Sequence, residues 1–156
     1  MDKSAAQSSS MDAINLGLSN LSQLCIPPEC TALNLHGNFL TSLTGLKDSH
    51  FIAELNLSSN SFQSLDMPDL AFLSGLQVLD ISSNSISTLL NAPFLPGVLH
   101  LSVSYNNLIS LAGIAENFPD LKILDARGNY LDDAVAISEL ASLERLEHLL
   151  LGGGLT

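Results

Sequence analysis

The sequence predicts an α/β solenoid, in which short units stack so that each adds one strand to a parallel concave sheet and one connection to a convex side. Three observations predict it. The stretch Ile52–Phe62, IAELNLSSNSF, sets apolar residues at Ile52, Leu55, Leu57 and Phe62 around Asn60, and the same frame recurs at Cys30–Leu40, Leu76–Ile86, Val98–Leu108 and Leu121–Leu131. Its asparagines, Asn38, Asn60, Asn84, Asn106 and Asn129, stand 22, 24, 22 and 23 residues apart. The connections repeat apolar residues at short spacing, as in Leu40, Leu43 and Leu46 or Leu108, Leu111 and Ile114, and Pro68, Pro93, Pro96 and Pro119 break them. A unit this small cannot bury its own apolar face, so the units must stack.

Each part of the frame has a physical reason. Leu55 and Leu57 alternate with Asn56, so a short strand sends the leucines to one side and Asn56 to the other. Asn60 falls where the chain leaves the strand, and its amide has two donors and an acceptor for turn groups that would otherwise be buried unpaired. Stacked copies form an asparagine ladder, a structural device.

In chain order, residues 1–10 are small and polar and are expected to be a disordered tail. The repeat domain is expected to cover residues 11–156. It opens with a degenerate unit, MDAINLGLSNL, framed on Met11, Ile14, Leu16 and Leu21 with Ser19 at the asparagine position. An amphipathic capping helix with Ile14, Leu18, Leu21 and Cys25 on one face is the rival; the strand is preferred because it fits the frame. Pro27 and Pro28 stop any continuing helix. Five full units follow. The prolines and the three-residue spacing suit 3-10 or single helical turns on the convex side. The fifth connection has no Pro or Gly, so the sequence predicts a true helix from about Ala134 to Leu143, capped by Asp132 or Asp133, with Ile137, Leu140 and Leu143 facing the core. A sixth unit, incomplete, places Leu146, Leu149 and Leu151 in the frame with Gly154 at the asparagine position. Leu149 and Leu151 then have no following layer. The chain is therefore expected to be the N-terminal part of a longer protein, with its last layer a surface for self-association.

Composition narrows the function. The chain has 156 residues, 46% of them hydrophobic, with no Trp, which suits aliphatic layers. Its net charge is −11, from 5 basic and 16 acidic residues. Direct contact with a nucleic-acid backbone needs a basic face and is not expected. The acidity serves solubility, or else a basic partner. The start of the chain has no apolar core of a secretory signal, and no apolar run reaches the length of a membrane span. Cys25 and Cys30 bracket IPPE, and Cys30 takes a buried frame position, so free thiols and an intracellular setting are expected.

The repeats resemble the short-repeat, intracellular leucine-rich repeat family of about 22 residues per unit. The resemblance runs from Met11 to the C-terminus and includes the apolar positions after each asparagine, as in NSISTLL (Asn84–Leu90) and NNLISLAGI (Asn106–Ile114). Members include a regulatory subunit of type-1 protein phosphatase, an outer-arm dynein light chain, and centrosomal and ciliary scaffolds. The resemblance implies a right-handed solenoid that binds other proteins on its concave sheet.

Alternation also exposes the candidate sites. The concave positions hold Val78, His100 and Ile123 in one column and Asp80, Ser102 and Asp125 in the next, with Leu99, Tyr105 and Arg127 at the rim. Val78, Leu99, Tyr105 and Ile123 set apolar groups where the frame permits polar ones, which suggests an interaction patch. Asp80, His100, Asp125, Lys122 and Arg127 would supply its polar surroundings. The serine columns beside it leave room for a helix or extended peptide. Isolated apolar surface residues are also ordinary, and scatter is the plain alternative. Nothing meets the geometric demands of a catalytic site. His100 and His148 fall two strands apart, roughly 9–10 Å, too far for one zinc ion. No cofactor and no enzymatic activity are expected. Two roles remain: a module that binds a protein or peptide within a cytoskeletal, centrosomal or ciliary scaffold, or a regulatory or chaperone-like subunit for a phosphatase or a basic nuclear protein, which would place it in the nucleus.

Overall fold

The computed structural model describes residues 9–46 and 48–152. Seven strands form one parallel sheet in sequence order: β1 (Ser9–Asp12), β2 (Cys30–Asn34), β3 (Glu54–Asn56), β4 (Val78–Asp80), β5 (His100–Ser102), β6 (Ile123–Asp125) and β7 (His148–Leu150). The expected frame sets the register. Leu33, Leu55, Leu79, Leu101 and Leu124 lie opposite one another in successive strands, with Leu149 next in line. Behind them Leu35, Leu57, Ile81, Val103 and Ala126 form a second buried column. The convex connections fold as foreseen into turns, a 3-10 helix at Pro68–Phe72, a single helical turn α1 (Ile114–Asn117) and one longer helix α2 (Asp133–Leu140). Pro68 starts its 3-10 helix where the missing amide costs nothing.

The ladder holds these layers together. Asn60 Nδ2 donates to Leu57 O of its own unit at 3.0 Å and to Leu35 O of the preceding unit at 2.9 Å, while its Oδ1 accepts from Leu40 N at 3.0 Å. Asn84, Asn106 and Asn129 repeat the set one unit further on each time. Asn38 does the same for the first unit, bonding Ala13 O, Leu35 O and the amides of Leu16 and Leu18.

Four expectations need correction. Of the tail expected to be disordered, residues 1–8 lie outside the described residues, but Ser9 and Ser10 belong to β1. There Thr31 Oγ1 donates to Ser9 O, and pairing with β2 continues to Asp12. The first unit is a strand, yet its frame lies three residues from the expected one. Met11 pairs with Leu33, Ala13 follows Leu35 into the core, and Leu18 and Leu21 take the places of Leu40 and Leu43. Ile14 and Leu16 are exposed, and Leu16 rather than Ser19 stands 22 residues before Asn38. The misleading feature was the size of Ile14 and Leu16; the small Ala13 fills the core site. In α2 the helix ends at Leu140, three residues early, and Ile137 is 61% exposed. With Asp132 Oδ1 capping Ala134 N and Val135 N, the inward positions are Ala136 and Leu140, followed by Leu143. Finally, the serines are not open space: Ser58 and Ser104 are buried.

At the far end β7 is exposed along its length, with Leu149 38% exposed where its counterparts in β2–β6 are buried. Gly154 lies outside the described residues.

Leu57 is fully buried in the second core column. Leu57→Ala should therefore cost about 2–5 kcal/mol in denaturant melts through the cavity it leaves. Asn60→Ala should cost about 1–3 kcal/mol by orphaning Leu40 N and two carbonyls. Wild-type stability for either would mean that the frame is wrongly assigned.

Candidate protein-binding surface

Four columns of residues make the concave side, each with a different local duty. The first runs Ser10, Ala32, Glu54, Val78, His100, Ile123 and His148. Its side chains point away from the core. Among the described residues none of them makes a side-chain hydrogen bond or ion pair. Val78 and Ile123 are half-buried and flank the exposed His100 on the adjacent strand. His100 and His148 are separated by Ile123, as the sequence spacing implied. Among the described residues no group of three or more His, Cys, Asp or Glu is placed to hold a metal ion.

The second column runs Asp12, Asn34, Asn56, Asp80, Ser102, Asp125 and Leu150. The structure gives it a duty that sequence reasoning missed. Asn34, Asn56, Asp80 and Asp125 each accept the amide two residues on, at 3.1, 2.9, 2.9 and 3.2 Å, closing the turn that ends each strand. These are Asx-turns, whose signal was the repeated Asn or Asp two residues after the exposed first column. Asp80 and Asp125 are thus half committed to the backbone.

The third column, just after the strands, is tied into these turns. Ser58 Oγ lies 2.6 Å from Asn56 Oδ1, which can only accept, so the single hydroxyl hydrogen goes there. His36 Nδ1, 2.7 Å from Ser58 Oγ, must therefore be the donor to it. That fixes the Nδ1–H tautomer in neutral His36. At the other end Arg127 Nε and Nη2 donate to the two carboxylate oxygens of Asp125 at 3.0 and 2.8 Å. The Arg127 hydrogen bonds hold the Asp125 carboxyl below the usual carboxylate range, despite its partial burial.

The fourth column is conformationally special. Asn15, Gly37, Ser59, Ser83, Tyr105 and Gly128 all have φ between 54 and 71°. The chain turns there through the left-handed region before each ladder position, which L side chains enter at a cost. A bulky residue in this column leans over its neighbour in the next unit. A Cβ on Gly37 would fall within bonding distance of the Asn15 amide, and one on Gly128 would lie 2.5 Å from the Tyr105 ring. Tyr105 is 60% exposed, standing over the space that Gly128 leaves.

The structure thus brings Val78, His100, Ile123, Asp80, Asp125, Arg127 and Tyr105 onto one face across β4–β6. Leu99 stands one residue before β5, in a column with Gln77 and Lys122 at the strand entrance, and its amide donates to Gln77 O. Lys122 pairs there with Glu147 at 3.3 Å. An open hollow of about 330 Å³ lies on the concave side over β1–β4 and shares Val78 and Asp80 with this patch; Asp12, Ala32, Asn34 and Glu54 are among its other lining residues. No pattern in the repeats announces that hollow, because curvature is not written in a single unit.

The repeated frame, the ladder and the open parallel sheet define a leucine-rich repeat solenoid, and the comparisons agree. The family model described as Leucine Rich Repeat matches residues 75–95. The chain is 33% identical over 101 residues to the 187-kDa microtubule-associated protein AIR9 of Arabidopsis thaliana, a match over 65% of this chain and 6% of that protein. Among solved structures, TLR13 in its complex with ssRNA13 superposes with a TM-score of 0.79 at 26% identity, over 88% of this chain and 20% of TLR13. An internalin C2 from Listeria monocytogenes gives 0.62 at 29% identity, over 91% of this chain and 72% of that one. The family-model match and the likeness of fold support a leucine-rich repeat family. In that family the fold serves as a protein-interaction module. No helix among the described residues is long and apolar enough to cross a membrane.

Two outcomes test the site geometry. Gly128→Ala should destabilise the fold by about 1–3 kcal/mol, from a positive φ and the clash with the Tyr105 ring. Much of that cost should vanish in a Tyr105→Ser background, which places there the residue that the two preceding units carry at Ser59 and Ser83; additive costs in a double-mutant cycle would refute the contact. The Asp125–Arg127 pair stabilises the fold above the pKa of an unfolded aspartate, about 3.9, and the effect is lost as pH falls through the lower folded value. The stability gap between wild type and Arg127→Gln, small because Arg127 is half exposed, should therefore narrow between urea melts at pH 7 and at pH 3.

Proposed function

We propose that this chain is a non-enzymatic protein-binding module of the short-repeat intracellular kind, serving a cytoskeletal scaffold. A partner protein or peptide lies across the concave face of β4–β6. The single observation that carries the binding face is the placing of Val78 and Ile123, half-buried on either side of His100, with the raised Tyr105 beside them. Tyr and aliphatic anchors on a rigid sheet lose little entropy on binding. The cytoskeletal setting rests on the likeness to AIR9, a microtubule-associated protein. Centrosomal and ciliary assemblies are the first places to look. The RNA of the TLR13 complex is not carried over, since a face with Asp12, Glu54 and Asp80 repels phosphates.

The test is affinity capture from a cytoskeletal fraction with wild type, Val78→Glu, Ile123→Glu and the convex control Ser42→Glu. Glutamate already stands in the first column at Glu54, so the concave variants should fold. A cytoskeletal protein captured by wild type and by Ser42→Glu should be lost from both concave variants, with affinity falling at least about tenfold, near 1.4 kcal/mol. Retention by the concave variants together with loss from Ser42→Glu would move the binding face to the convex side.

A further inference from the structure

The two halves of the concave face differ in charge. Between Ser4 and Leu121 the sequence has one basic residue, Lys47, which lies outside the described residues. The described bases all fall later in the chain, and each is already paired: Lys122 with Glu147, Arg127 with Asp125, and Arg145 with Asp120. Over β1–β4, by contrast, Asp12, Glu54 and Asp80 line one hollow with no basic side chain among the described residues of its wall. Among the described residues the carboxylates of Asp12 and Glu54 have no hydrogen-bond or ion-pair partner. Asp80 spends one oxygen on Ser82 N and keeps the other. The hollow is floored by sheet, with Ala32 and the half-buried Val78 on it.

The geometry points to a lysine- or arginine-bearing segment of a partner protein as the occupant of this hollow. Asp12 and Asp80 share a column three strands apart, roughly 14 Å. No single metal ion spans that, since its oxygen ligands lie within about 2.6 Å. An extended chain covers it in about four residues, so two basic side chains four positions apart reach both ends, with Glu54 between them. Val78 belongs both to the hollow and to the apolar patch over β4–β6. The same partner therefore runs from the acidic half onto Val78 and Ile123, with its basic part over β1–β4. The inference rests on the concave-face reading and adds the partner's charge and polarity to it.

The test uses a fluorescent ten-residue peptide alternating Lys and Ala, a matched Glu–Ala peptide, and the 156-residue chain. The site variant is Asp12→Asn, Glu54→Gln and Asp80→Asn together. Asn34 and Asn56 already serve the same column, so the turns survive. A control variant with the same net charge changes convex-side acids instead: Asp66→Asn, Asp69→Asn and Glu116→Gln. Thermal melts confirm that both fold. Wild type and control should bind the Lys–Ala peptide alike, the site variant roughly tenfold more weakly, and all binding should fall between 50 and 300 mM salt. Equal loss in both variants, no loss in either, or equal binding of the Glu–Ala peptide would overturn the inference. Its failure leaves the concave-face reading standing if Val78→Glu still releases the captured partner. If Val78→Glu and Ile123→Glu release nothing, that reading falls whatever the peptide does.

Discussion

The solenoid depends on the asparagine ladder, and the ladder reaches backward. Each asparagine satisfies a carbonyl of its own unit, and in the preceding unit a carbonyl and an amide. It is therefore a clamp between layers rather than a turn-former within one. This explains why the first unit can carry Leu16 at the ladder position: Asn38 serves it from the next layer. It also explains where the repeat tolerates length. The asparagine stands five residues after the first buried strand residue in every full unit, as from Leu55 to Asn60 and Leu124 to Asn129. The spread of 22 to 24 residues falls wholly in the convex connections, where the asparagine ladder does not reach.

That division decides what could be read from the sequence. Strand positions, register and the ladder were legible because one buried group imposes them at a fixed offset in every unit. The first unit was misread because, without its own asparagine, only side-chain size was left to set the frame, and size pointed to Ile14 and Leu16. Ala13 is the residue that enters the core there. Helix α2 was legible in kind, and Leu140 and Leu143 are buried as expected, but Ile137 is not. Its orientation is set by Asp132 capping its start and by Glu139, which accepts from Ser110 Oγ and Leu111 N of the preceding connection. At its first turn Ala136 takes the inward place expected of Ile137, which faces solvent. No pattern within α2 announces a tether to a residue 29 positions away.

The candidate site was legible as a set of positions and much less as a set of roles. Alternation places Asp80 and Asp125 on the concave face, and they are there, but as turn closures first and surface charges second. The serines after the strands looked like open surface and are partly buried turn components. The left-handed column was visible only as an odd succession of Gly, Ser, Ser, Tyr and Gly before each asparagine. Its logic appears once neighbouring units are stacked: a large residue can stand there only over a glycine in the next unit, as Tyr105 does over Gly128. The glycine is needed for its neighbour's ring as much as for its own φ of 67°.

These constraints leave the concave face with one free column. The second column closes turns, the third is drawn into them, and the fourth is limited by backbone sterics. Only the first, Ala32, Glu54, Val78, His100, Ile123 and His148, carries no structural hydrogen bond among the described residues, so its side chains are set by neither fold nor ladder. It changes from small and acidic over β2 and β3 to apolar at Val78 and Ile123 around His100. A scaffold that must keep its ladder can alter what it recognises only where the ladder makes no demand. In the proposed concave-face reading, recognition therefore rests on that column together with the carboxylate oxygens that Asp12 and Asp80 keep, and on Tyr105 as the single large side chain that the strained column admits.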